Sequence, residues 1–468
     1  MTRSPKIILL SGTALLVSVL LFVGFLRGQN KYPQPAALAA ATPCENTFFD
    51  PDPNHPWNQL YGLLFIRPAW NGKLYGQDEL DPLYWNSSRY LLEEPLHAKA
   101  LAFLDQFIAS DASRLIKDPL KRALLQRDLW ALFDHCASPF FDPWNAKLGP
   151  FDVERRNLAL RLVKIMRGIA LTDEEIEALP HNYDREVAAK LYPETYDPAQ
   201  IEQPFLPATF YAGTDWVNLE KSYYQQLAPA HTKALSGRSG FDVLLSLPGG
   251  RDATLAYLKK LNDYQPKWVY DRDKSSFFVN IDNIGDAPPY LSADLPQVPL
   301  LTRFALARRA NLIDAAGKIV QSPITESIQI RVIRTELPNN SSGGEQSFFL
   351  FELDPGKLLK GEGGLVAQGK NDQGFDMVLG AGSEDPLQNR VGRNPNPEFH
   401  GEYARVESCF GCHGRAGIFS MNSYIQFFQD QRTLQPPVLA EGASSRYSLA
   451  WKEQQYDWGL LQADWFAQ

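Results

Sequence analysis

The chain is poor in the residues that ligate metals and cross-link proteins: four cysteines, seven histidines and four methionines in 468 residues. So few thiols exclude a disulfide-built scaffold, which needs a much denser cysteine framework. Positive charge is not in excess either. Lys and Arg number 46 against 54 Asp and Glu, a net charge of −8. No broad basic stripe is available to neutralise phosphates, so nucleic acid is excluded as the main partner. Gly-x-Ser-x-Gly, Gly-Lys-Ser/Thr and His-Glu-x-x-His are all absent. Their absence removes the hydrolase elbow, the phosphate-cradling loop and the helical zinc-protease site.

What is present is concentrated. Two of the four cysteines stand beside a histidine in Cys409-Phe410-Gly411-Cys412-His413. This spacing attaches haem covalently: each thiol adds to one vinyl group, and the adjacent histidine ligates the iron. Two other readings compete. A zinc site from Cys409, Cys412, His413 and His400 requires the adjacent Cys412 and His413 to meet one tetrahedral ion. A redox-active Cys-x-x-Cys normally opens a helix in a βαβ setting, which the sequence does not offer. One covalently attached haem c is the expected cofactor, bound by Cys409 and Cys412 with His413 as proximal ligand. A second such motif is absent, which excludes a relay of haems within this chain.

The second axial position stays open between His400, Met421, Met377 and no protein ligand. A methionine raises the potential and suits electron transfer, whereas an open position admits small ligands. Met421 lies eight residues after His413. An extended chain, at about 3.3 Å per residue, reaches round a haem edge over that length; a helix does not. Each candidate also has an ordinary use, the methionines as core filling and His400 as a turn residue. Arg405 and Arg415 flank the motif; arginine forks suit haem propionates, but an exposed basic residue is the ordinary reading. Trp451, Trp458 and Trp465 recur at seven-residue intervals, a helical face that packs the C-terminus and can cover a haem.

The N-terminus carries an uncharged run over residues 7–26, long enough to cross a bilayer as a helix. A small-residue cleavage pattern exists at Ala37-Leu38-Ala39 but lies far from the run. Because haem c is attached outside the bacterial cytoplasm, the expected location is the inner membrane with the body facing the periplasm. Cleavage of the segment would instead give an exported protein. The leftover Cys44 and Cys136 are an expected disulfide in such a compartment.

The expected fold class is multidomain α+β. Residues 1–26 form the anchor or signal, and 27–57, rich in Pro and Ala, a linker. Residues 58–264 read as a mainly helical body, with apolar residues at helical spacing near 94–110, 115–136 and 153–170. Thr172 and Glu175 make a capping box. Residues 265–385 read as a small antiparallel β region, in which Ile328, Ile330 and Val332 alternate with polar neighbours. Residues 386–468 hold the haem motif and end in helix.

The pentapeptide resembles the attachment site of c-type cytochromes. The longer stretch from Cys409 through Ser420, Met421 and Tyr424 resembles large exported bacterial proteins of uncharacterised function with a haem motif near the C-terminus. The resemblance implies a mainly helical, cytochrome c-like haem domain over 386–468 and a partner redox protein. The chain departs from small mono-haem cytochromes in having no methionine at the usual long distance after the motif. The function expected is a membrane-anchored mono-haem cytochrome that exchanges electrons with that partner. The alternatives are a haem enzyme with an open distal site, peroxidase-like or acting on small ligands, and a haem-containing binding or sensory module.

Overall fold

Seven stretches, several rich in β-branched and aromatic residues, pair into one antiparallel sheet. They are β1 (Val217–Lys221), β2 (Ser239–Ser246), β3 (Arg303–Ile313), β4 (Ile319–Ile333), β5 (Gln346–Leu353), β6 (Leu365–Ala367) and β7 (Leu439–Glu441), in the order β6-β5-β4-β3-β2-β1-β7. The computed structural model describes residues 46–68, 74–76, 91–137, 152–211, 213–221, 227–265, 268–269, 275–277, 290–292, 294–335, 345–375, 402–404, 406, 409–410, 413–414, 417–421 and 439–467. Asn46–Gln468 forms one compact unit.

Register separates the two faces of the sheet. Leu245 pairs with Phe304, Phe304 with Arg331 and Arg331 with Phe348, so these four share one face. Phe241, Val243, Leu306 and Arg308 lie on that face too. Because strand side chains alternate, Ala305, Ala307, Ile328 and Ile330 point the other way, where they are buried with Tyr183, Phe205 and Trp216.

The helices are α1 (Pro56–Phe65), α2 (Leu96–Ala109), α3 (Pro119–Ala137), α4 (Asp152–Gly168), α5 (Asp173–Glu177), α6 (Asn182–Ala189), α7 (Pro229–Ala234), α8 (Gly250–Asp263), α9 (Pro355–Leu359), α10 (Ser445–Glu453) and α11 (Tyr456–Phe466). Residues from α1–α4 and α11 bury a common apolar cluster that includes Trp57, Trp130, Leu162 and Trp465. The capping box forms as read: the Thr172 hydroxyl accepts from the Glu175 N–H, and the Glu175 carboxylate accepts from the Thr172 N–H.

Three expectations are corrected. The β region is not small and is not confined to 265–385. It takes β1 and β2 from the stretch expected to be helical and β7 from the stretch expected to be a haem domain. The reason is visible in β3, whose sequence RFALARRANLI is built largely of helix formers. Pairing on both edges and burial override that propensity. The multidomain arrangement gives way to one unit over 46–468. The described part of 386–468 joins the same sheet through β7 and the helical cluster through α11. Trp451 and Trp458 do not share one continuous helix, because the chain breaks at Gln454 and Gln455.

The remaining correction concerns the membrane. Among the described residues no helix is long and apolar enough to cross a membrane. No described helix therefore supplies the single anchor expected for inner-membrane placement; the run at 7–26 lies outside the described residues. Among the described residues Cys136 is a free thiol; the expected disulfide needs Cys44. Cys136 is buried in α3, and desolvation pushes its pKa up to about 12, against a smaller pull from Arg155. Cys44 lies outside the described residues.

Candidate functional site

The described part of the pentapeptide sits over the sheet face that carries Phe304, Arg331 and Phe348. The Phe410 ring meets Phe348 edge-on at 5.4 Å. The Gly414 N–H donates to the Phe410 carbonyl at 2.7 Å, closing a tight turn around His413. A Cβ on Gly414 would lie 2.6 Å from that carbonyl, so the turn admits only glycine. Gln346, at the start of β5, donates from Nε2 to the His413 carbonyl at 2.9 Å.

The next turn orients the imidazole. A 3-10 turn over Gly417–Ser420 folds the chain back, held where the Ile418 N–H donates to Gln297 Oε1 at 3.0 Å. The Ser420 carbonyl then lies 2.8 Å from His413 Nδ1. A carbonyl can only accept, so Nδ1 carries the proton and Nε2 is left with its lone pair. The same carbonyl accepts from Arg331 Nη1 at 3.0 Å. Desolvation first, then Arg331, press the His413 pKa down to about 3, against the opposing hydrogen bond to Ser420. The ring is therefore neutral at physiological pH.

A second imidazole faces the first. Pro229 opens the short helix α7, where its missing N–H costs nothing. The helix is pinned by buried Leu235, which packs with Phe241 of β2, and by buried Thr232, whose hydroxyl lies 3.4 Å from Ser448 of α10. The turn after α7 places Gly237 at φ +71. His231 on this helix stands 5.8 Å from the Phe241 ring. It lies 6.4 Å from the His413 ring, with the two planes 9° apart. Neither imidazole's remaining nitrogens hydrogen-bond to a described residue. Burial, with Arg308 and Arg331 behind it, lowers the His231 pKa to about 4.

The surroundings are apolar, with one uncompensated charge. Val243, Leu306 and Phe348 keep partial exposure although they sit on inner strands of the sheet. His231, His413 and Arg331 are also only half-buried by area, yet strongly desolvated. Side chains with both properties line an internal recess. Arg308 is neutralised by Glu326 at 3.8 Å and held by Ser327 at 3.1 Å. Arg331 has no carboxylate partner among the described residues. Its guanidinium lies 4.8 Å from the Phe304 ring, and burial lowers its pKa to about 10, against the pull of Cys409 beside it. A buried cation without an anion is costly. The recess thus joins an apolar floor, two neutral imidazoles and a positive charge lacking a counter-ion.

Of the residues expected from sequence, Cys409 and His413 are at this recess. Cys412, His400, Met377, Arg405 and Arg415 lie outside the described residues. Met421 is buried in an apolar cluster with Ile418 and Leu245, the core role open to it from the start. Trp458 and Trp465 pack in the helical cluster, where Trp458 meets Trp130 at 5.9 Å, and do not cover the motif. Among the described residues no group of three or more His, Cys, Asp or Glu is gathered where it could hold a metal ion. No such group therefore supports the metal-binding reading among the described residues. Sequence reasoning missed His231, Arg308 and Arg331. His231 belongs to no motif, and Arg331 alternates with Ile330 and Val332 as a solvent-facing residue would.

Comparison with protein-family models, with curated proteins and with solved structures finds no match to this chain.

Proposed function

We propose that this chain binds one haem c through Cys409 and Cys412, with His413 as axial ligand, and exchanges single electrons with a partner redox protein. The observation that supports this reading most is the state of His413. Within an attachment motif, its ring is neutral, fixed through Nδ1–H to the Ser420 carbonyl, and free at Nε2. A ligating imidazole needs that tautomer and that second hydrogen bond. A haem iron takes its equatorial ligands from the porphyrin, so one or two imidazoles suffice from the protein.

The other residues fit the group. The apolar floor suits the macrocycle, and Arg331 offers a buried guanidinium to its carboxylates. Bound haem supplies a one-electron couple; the chain sets its environment. The Ser420 carbonyl makes the His413 imidazole more basic, while Arg331, donating to that carbonyl, tempers it. Burial keeps water from the ring.

The test is direct. Produced in a host that attaches haem c, the protein carries haem that resists extraction under denaturing conditions and shows a sharp reduced α-band. Replacing both Cys409→Ala and Cys412→Ala abolishes the attachment. A wild-type protein without covalent haem overturns the proposal.

A further inference from the structure

We infer that His231 is the second axial ligand, so that the haem iron is held between two imidazoles. This rests on the proposed haem attachment at His413. An imidazole nitrogen binds a transition metal at about 2.0–2.1 Å and lies about 1.15 Å from its ring centre, so two imidazoles across one iron have centroids roughly 6.3 Å apart. The His231 and His413 centroids are 6.4 Å apart, with planes 9° from parallel. That separation matches the span of two imidazoles across one iron.

Three further observations bear on the assignment. His231 stands on the same side of the sheet as His413, with its ring 5.8 Å from Phe241. Its ring nitrogens make no hydrogen bond to a described residue, so none competes with a metal ion for them. Its helix is fixed by Pro229, Thr232, Leu235 and the Gly237 turn, so the ring is preorganised. The rival Met421 is engaged in the apolar cluster around Ile418. Two imidazoles fill both axial positions with strong-field ligands, which makes the iron six-coordinate and low-spin and closes it to small molecules. The site is then built for electron transfer and not for small-ligand chemistry.

The test is spectroscopic. Wild-type protein with attached haem is low-spin in both oxidation states by electron paramagnetic resonance and optical spectra, and its ferrous form does not bind carbon monoxide rapidly. His231→Ala loses the low-spin signature and gains carbon monoxide binding, and added imidazole restores the low-spin spectrum. His231→Met stays six-coordinate with a raised reduction potential, which keeps the test open should the alanine variant fail to fold. A high-spin wild type, or a His231→Ala protein that stays low-spin without imidazole, overturns the assignment while leaving the haem attachment intact. Absence of covalent haem in the wild type overturns the haem reading instead.

Discussion

At the scale of single residues, Arg331 is the most informative side chain after the histidines. It is a desolvated cation with no carboxylate among the described residues, and it holds the carbonyl that orients His413. Replacing an unpaired buried charge with an apolar group of similar length is neutral or stabilising. In a chain lacking both motif cysteines, Arg331→Met is expected to leave stability unchanged or raise it by about 1 kcal/mol. With haem attached the sign reverses, to a loss of about 1–3 kcal/mol, because the substitution strips a hydrogen-bonded charge from a buried anion. Urea denaturation of both pairs measures this, and the same sign in both backgrounds would remove Arg331 as the counter-charge. Gly237 is a second sensitive position. It sits at φ +71, and a Cβ there would lie 2.9 Å from Lys452 Cβ and 3.0 Å from Trp451 Cε3. Gly237→Ala is expected to cost roughly 1–3 kcal/mol and to loosen α7; a denaturation midpoint equal to wild type would show that the turn relaxes freely. Of the site, only the pentapeptide was legible in the sequence. His231 and Arg331 reach it through tertiary placement, and strand alternation pointed Arg331 towards solvent when it faces a recess.

At the scale of elements, Asp242 on β2 joins four pieces of chain. It accepts from Arg309 Nη2 of β3 at 2.6 Å, from Tyr211 Oη at 2.9 Å, from Asn218 Nδ2 of β1 at 3.0 Å and from the Ser445 N–H of α10 at 3.3 Å. Burial pushes its pKa up, but Arg309 and the hydrogen bonds from Asn218, Tyr211 and Ser445 outweigh it and leave the pKa below the ordinary 3.8. A carboxylate with a depressed folded pKa binds more protons when unfolded. Its stability contribution is therefore present above pH 3.8 and is lost as pH falls through the folded pKa. Asp242→Asn should cost on the order of 2–3 kcal/mol at neutral pH and flatten the acid limb below pH 3.8. Stability curves from pH 2 to 7 measure both; an unchanged acid limb would mean that other groups govern it. Elements carrying strong local signals were readable in advance: α2, α3 and α4 from apolar periodicity, α5 from its capping box, β4 and β5 from their alternation. The sheet as a whole was not. β3 is rich in Ala, Leu and Arg, and β7 is too short to signal itself; both are strands because of what they pair with.

At the scale of the whole molecule, the C-terminal stretch is structural as well as the carrier of the pentapeptide. Lys452 of α10 is fully buried, with Nζ 2.7 Å from Asp134 of α3 and 2.7 Å from Asp457. Asp464 of α11 accepts from Arg156 of α4 at 2.6 Å. Trp458, Leu461 and Trp465 fill the cluster built by α1–α4. Each such burial is worth about 1.5–3 kcal/mol, so these three side chains alone contribute roughly 5–9 kcal/mol. That rivals the total stability of about 5–15 kcal/mol usual for a domain. A chain ended after residue 385 also loses β7, and with Lys452 gone Asp134 keeps only Arg238 as a cationic partner among the described residues. Such a chain is expected to melt without cooperativity and to be digested under conditions where the full chain resists. Residues 386–468 alone should neither fold nor retain ordered haem, because His231, Arg331 and the sheet floor lie on the other piece. Circular dichroism melts and limited proteolysis of the two fragments and the full chain measure this. Two independently folded, protease-resistant fragments would show that the haem segment is a separate domain and that the sheet does not depend on it.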